Sequence, residues 1–214
     1  MKILVTWKYQ IQNTNKEEEI MRRDIMVDIE TLGTGEGATI FQIAAMSFDI
    51  RTGYIYDSIN LIGNIEKYES LKVDGSTLKW WLNTNKELLA DLLNRGNITE
   101  YEMAQCFYNW LYKQAGTDEH VDNVYLWGNG ILFDNAKLQK FMNETGKLHY
   151  PIGYKNDRDV RTILELASMR TGKTEKWIKD SVAMASEVEH DALDDTRYQI
   201  RLVSTCYQLL MGTI

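Results

Sequence analysis

The chain has 214 residues, 44% of them hydrophobic and 26% charged, which suits one globular domain with a self-sufficient core and excludes wholesale disorder. Its net charge of −7 argues against a sequence-reading DNA-binding module, since such modules are usually basic, yet it suits an enzyme whose acids hold cations that then face phosphates. No apolar run reaches the roughly 20 residues of a membrane helix, and Cys106 and Cys206 stand too far apart for a Cys-based zinc site.

The opening MKILVTWKYQ lacks the apolar stretch and cleavage site of a signal peptide. With the sparse cysteines, this predicts a reducing, cytoplasmic setting, which is the host cytoplasm if the chain is phage-encoded. Residues 1–23 are expected to form a separate N-terminal segment. Its stretch from Gln10 to Arg23 is polar and charged and reads as solvated. The domain proper is expected over residues 24–214.

Ile25, Met26, Val27 and Ile29 make a short apolar run that ends in Glu30-Thr31-Leu32-Gly33, a buried strand entering a turn. Ala38 to Phe48 is a second strand candidate, although its alanines leave helix open. Tyr54 to Ile62 alternates as a third strand. Short Gly-containing turns join these three into an antiparallel meander.

Helices follow. Ser76 is a plausible N-cap for TLKWWLN. Asn85 to Asn94 stops before Gly96, and Thr99 to Ala115 carries a helical apolar stripe. Val124 to Trp127 is a short strand ended by Gly128. Phe133 to Glu144 is helical, with Gly146 as its C-terminal glycine. A short strand runs from Pro151 into Val160, and helix resumes from Ile163 to Met169. Leu193, Ile200, Val203, Tyr207 and Leu210 line one face of a long last helix. The order predicts an α/β fold: a mixed sheet of three antiparallel strands then parallel strands, flanked by helices. Such folds place their sites beyond the carboxyl ends of the inner strands.

Asp28 and Glu30 are two apart at the end of the first strand and so share a face. Paired carboxylates repel unless a cation joins them, which is how an oxygen-ligand Mg²⁺ or Mn²⁺ site begins. Chance alone supplies about one Asp-x-Glu in a chain with 31 acids. Asp134 follows a strand and a Gly-rich turn, where an acid also suits the helix dipole. His190-Asp191-Ala192-Leu193-Asp194-Asp195 opens the last helix. Positions five apart lie about 140° apart around a helix, so His190 belongs to the preceding loop and Asp195 to the helix. A neutral imidazole there is a serviceable general base.

Taken in order, VDIETLG, NGILFDNAKL and HDALDDTRYQ resemble the three motifs of the DEDDh 3′–5′ exonucleases, a family with an RNase H-like fold. STLKWW at Ser76 to Trp81 and RDVRT at Arg158 to Thr162 look closest to its phage-type exodeoxyribonucleases. The resemblance spans about Asp24 to Leu210. It implies that Asp28, Glu30, Asp134 and Asp195 hold two divalent ions, Mg²⁺ or Mn²⁺, with His190 as general base. Asp191 and Asp194 compete for the Asp195 role, because Asp191 and Asp195 share a helix face.

The resemblance also implies substrate contacts at Thr31 and Leu32, a backbone amide and an apolar wedge at the terminal nucleotide. Trp80 and Trp81 are expected to divide, one packing in the core and one stacking on bases. Asn129 is a sugar or phosphate contact. Arg161 either pairs with phosphate or forms an ion pair with Asp159. His120 and His149 read as surface residues. The implied activity is metal-dependent 3′–5′ removal of nucleotides from single-stranded ends, with DNA as the expected substrate. The alternatives are RNA trimming and a catalytically silent nucleic-acid-binding module. Homodimers occur in the family, but no interface is legible in the sequence.

Overall fold

A computed structural model describes residues 22–115 and 121–214. The expected N-terminal segment, apart from Arg22 and Arg23, lies outside them, as does His120. Five strands form one sheet: β1 (Arg23–Thr31), β2 (Ile40–Phe48), β3 (Ile55–Ile62), β4 (Val124–Gly128) and β5 (Asp157–Asp159). Their order is β3-β2-β1-β4-β5. The β1–β2 and β2–β3 pairs are antiparallel, whereas β4 joins β1 and β5 in parallel. This is the mixed sheet expected from the element order. β2 is buried from end to end, so its alanines belong to a strand covered on both faces, which need not alternate.

The helices are α1 (Gly75–Thr84), α2 (Lys86–Arg95), α3 (Glu100–Ala115), α4 (Asp134–Glu144), α5 (Val160–Thr171), α6 (Glu175–Val182) and α7 (Ala192–Met211). Alternation along β1 sends Ile25, Val27 and Ile29 into one core with Phe107 and Leu111 of α3 and Leu138 of α4. Met26 packs on the other face with Leu164 of α5 and Ile200 and Val203 of α7. Each such side chain contributes about 1.5–3 kcal/mol through burial. A third cluster joins Leu32 and Phe41 to Trp81 of α1 and to Leu89 and Leu92 of α2. Among the described residues, no helix is long and apolar enough to cross a membrane.

Several boundaries differ from expectation. Asp74, not Ser76, occupies the N-cap of α1, and its carboxylate accepts from the Thr34 amide at 2.8 Å. Gly146 follows α4 without a positive φ. It is required by close packing, since a Cβ there would lie 2.6 Å from that of Ala104. α5 is longer than expected, and α6 was not anticipated. α6 is mostly polar and buries only Ile178, and it starts from the Thr174 cap.

Candidate active site

β1 and β4 pair in register from Arg23↔Val124 to Met26↔Trp127 and no further. Beyond Met26 the β1–β4 pairing ends, and Asp28 and Glu30 are the next residues on the face that Met26 shares with α7. The β1–β2 register shifts between Glu30 and Thr31, so the strand bends just past the second acid. α7 crosses this end and brings Asp195 from its first turn. One carboxylate oxygen from each of Asp28, Glu30 and Asp195 lies within 4.8 Å of the others.

Asp134 opens α4 and folds back over Gly128, where a Cβ would lie 3.4 Å from its Oδ2. It stands outside the three-acid cluster, but its charge reaches Asp28 and Glu30. Burial pushes the carboxyls of Asp28 and Glu30 well above the usual range, and the neighbouring acids add to it. Burial raises Asp134 to about 7, against the pull of Arg161 and the Asn129 amide. It raises Asp195 to about 6, against the His190 amide, which donates to Oδ2 at 3.0 Å.

The protein supplies little to offset these charges. Gln199 donates Nε2 to Asp28 Oδ1 at 2.8 Å. Among the described residues, no lysine or arginine forms an ion pair with Asp28, Glu30 or Asp195. Converging carboxylates without a cationic partner form the donor set that hard divalent cations require, so these residues fit Mg²⁺ or Mn²⁺.

Asp191 is the N-cap of α7, accepting from the Leu193 amide at 2.9 Å and from Gln42 at 3.3 Å. Asp194 takes the Val188 amide at 3.1 Å and Arg197 at 2.7 Å. Asp195 alone of the three joins the cluster.

His190 lies on the loop before α7 with φ 70°, a left-handed conformation that costs a β-carbon residue about 1 kcal/mol or more. Its ring meets Trp80 edge-on at 4.7 Å and Trp81 at 6.3 Å between centroids. Trp81 is 1% exposed and Trp80 43% exposed, so one of the pair packs in the core. The Trp81 indole N–H donates to the Thr31 carbonyl at 3.2 Å, tying α1 to the end of β1.

Leu32 differs from the expected wedge. Its side chain is buried against Phe41 and Trp81, and its amide donates to the Thr39 carbonyl at 2.9 Å. Thr31 is also buried, and its hydroxyl donates to the Gly33 carbonyl. Asn129 is exposed at the turn before α4. Arg161 is exposed beside that turn, where a Cβ at Gly130 would lie 3.4 Å from its guanidinium carbon. Gly130 has φ 127°, a conformation that favours glycine. Asp159 caps α5 through the Thr162 amide at 3.0 Å and accepts from Ile131 at 3.2 Å, serving the backbone rather than Arg161. His149 is exposed, as expected.

Sequence reasoning missed two residues. Gln199 is 3% exposed and lies one turn beyond Asp195 on the same helix face, a spacing that could have flagged it. Lys137, 5% exposed, donates to the carbonyls of Thr34 and Gly35 and so braces the β1–β2 loop against α4. No sequence signal distinguishes such a lysine from one on a solvated face.

Solved structures share this architecture. The nuclease domain of 3′hExo, a DEDDh family member bound to rAMP, is 16% identical with a TM-score of 0.57, over 91% of this chain and 94% of that one. Exonuclease I of E. coli in an ssDNA complex is 16% identical with a TM-score of 0.62, over 90% of this chain and 42% of that one. The exodeoxyribonuclease of Enterobacteria phage T4 is 22% identical over 213 residues, covering 88% of this chain and 91% of the relative. The fold is that of a DEDDh family nuclease domain. More narrowly, the chain belongs to the family described as the 3′–5′ exoribonuclease Rv2179c-like domain, which matches residues 23–207.

Proposed function

We propose that residues 24–214 form one catalytic domain that removes nucleotides from the 3′ ends of single-stranded DNA. Asp28, Glu30, Asp134 and Asp195 would hold two divalent ions, Mg²⁺ or Mn²⁺. The observation that carries this reading is the convergence of Asp28, Glu30 and Asp195 within 4.8 Å, with the charge of Asp134 in reach.

Two such ions, when bound, offset the charge that develops on the attacking and leaving oxygens of a phosphodiester. His190 takes one proton from the attacking water, and the resulting hydroxide forms the new bond to phosphorus. The bond from phosphorus to the 3′ oxygen breaks, and that oxygen gains a proton. A 5′-mononucleotide and a strand shorter by one result. The Trp80 and Trp81 edges orient the imidazole. The exposed face of Trp80 offers a terminal base a sequence-tolerant stacking surface. Arg161 and Asn129, exposed around the turn before α4, would be contacts for a phosphate or sugar.

DNA is favoured by the phage T4 relative, which matches most of this chain. The family description favours the second reading, RNA. Matched 5′-labelled DNA and RNA oligomers with Mg²⁺ or Mn²⁺ test both. A ladder shortening from the 3′ end on DNA supports the first reading, and one on RNA alone replaces it with the second. No product from either, with folded protein, sinks the catalytic reading.

A further inference from the structure

A cavity of about 520 Å³ begins at Lys137, one turn along α4 from Asp134, and is walled by residues 36–40 and by α3 and α4. Lys67, Lys72, Lys137, Lys140 and Lys147 line it, against four glutamates. Of these, Glu100 is buried and already accepts from the Glu69 amide at 2.8 Å. Glu144 pairs with Lys140 at 2.8 Å, and its carboxyl is held below the usual range by Lys140 first and then by Lys72 and Lys147. Three lysines thus crowd one carboxylate, and the lining as a whole carries five lysines against four glutamates, a surplus of one positive charge on a chain of net charge −7. Lys67, Lys72 and Lys147 are exposed, and Tyr101 stands 54% exposed at the rim.

α4 and the β1–β2 loop run from the acid site to the cavity. α4 begins with Asp134 in the acid site. Lys140 and Glu144 follow about 9 and 15 Å further along its axis. The β1–β2 loop leaves the acid site directly after Glu30 and Thr31. A strand whose 3′ end sits among the acids needs its next phosphates held by positive charge, because the acids themselves repel them.

We propose that this cavity holds the phosphate backbone of the substrate strand a few nucleotides to the 5′ side of the bond being cut, with Lys72, Lys140 and Lys147 as phosphate contacts and Tyr101 as a stacking surface. The proposal rests on the exonuclease reading. It assigns the cavity to the strand rather than to a free mononucleotide, so its signature depends on substrate length.

The test compares the wild type with the double variant Lys72→Glu/Lys147→Glu on a labelled dinucleotide and on a 12-mer with the same 3′ end. Lys173→Glu/Lys176→Glu on and beside α6 makes the same charge change elsewhere. The expected result is a rise in KM of about tenfold for the 12-mer and less than about twofold for the dinucleotide, with kcat retained. The slope of log KM against log salt for the 12-mer should fall by about 1.4, roughly 0.7 per lost phosphate contact. Equal effects on the two substrates, no effect on the 12-mer, or an equal effect from the α6 variant would each overturn the proposal. If the wild type cuts neither substrate, the exonuclease reading fails by itself. Fluorescence anisotropy of a 12-mer with Ca²⁺ then decides the cavity: weaker binding by the Lys72/Lys147 variant supports it, and equal binding overturns it.

Discussion

Asp24 and Asp28 lie four residues apart on one face of one strand, and their surroundings differ. At the amino end of β1, Asp24 is 4% exposed and fully partnered by its own chain. It accepts from Arg22 at 2.7 and 2.8 Å and from the Trp127 indole at 2.8 Å. At the carboxyl end, Asp28 has one neutral donor, Gln199, and faces Glu30, Asp134, Asp191 and Asp195. A buried charge is tolerated when paired. The fold completes that pairing at one end of the strand; at the other, among the described residues, no lysine or arginine pairs with Asp28, and under the proposed function a cation would. The contrast is a physical reason to assign Asp24 to the fold and to propose Asp28 for the site.

The largest expected effect tests the unpaired end. Asp28→Ala should lower hydrolysis by at least about a thousandfold. It should also remove the rise in Tm that Mn²⁺ gives the wild type by binding the folded state. Retained turnover in a folded variant would put the chemistry elsewhere. His190→Ala should lower kcat by about a hundredfold or more while the Mn²⁺ gain in Tm survives, because the metal-holding carboxylates remain. Loss of that gain would make His190 a ligand or a scaffold residue rather than a base.

The paired end should behave oppositely. Asp24→Ala strands the buried Trp127 N–H and should cost about 2–3 kcal/mol in urea unfolding, with turnover per folded molecule retained. A smaller loss than that of an exposed Asp→Ala control would dissolve the contrast.

The smallest effect is in pH. The folded carboxyls of Asp134, about 7, and Asp195, about 6, lie above their unfolded values near 4. The folded, metal-free chain therefore holds more protons than the unfolded one in between. Their stabilising contribution is full below about pH 4 and is lost as pH rises through 6 and 7. After EDTA treatment, Tm should rise by a few degrees as pH falls from 8 to 5.5. The Mn²⁺ gain should shrink over the same range as protons compete for the carboxylates. A flat EDTA profile would mean that the acids sit in water.

The sheet was legible because its strands announce themselves locally. β1 is an apolar run closed by acids, and β4 ends at a glycine. α6 was not, because one buried isoleucine in eight residues leaves almost no periodicity. The site's acids were legible by type and order. Which of Asp191, Asp194 and Asp195 turns inward was not, because side-chain direction at a helix start depends on what caps it. Asp191 is spent on the Leu193 amide and Asp194 on Val188 and Arg197. Leu32 follows the family motif, yet its environment is set by Phe41 and Trp81, which pack against it from distant parts of the chain. Gln199 and Lys137 are polar residues on helices, and only tertiary packing reveals that both are buried.

The position of α7 has a consequence for the timing of synthesis. Asp28 and Glu30 are made early, but Asp195 and His190 arrive with the last helix, which docks on β1 and β2 through Ile200 and Val203. A nascent chain still lacking that helix carries three of the four acids, without Asp195 or His190. Under the proposed function, turnover therefore requires the final segment, and a copy truncated before α7 is expected to be inactive.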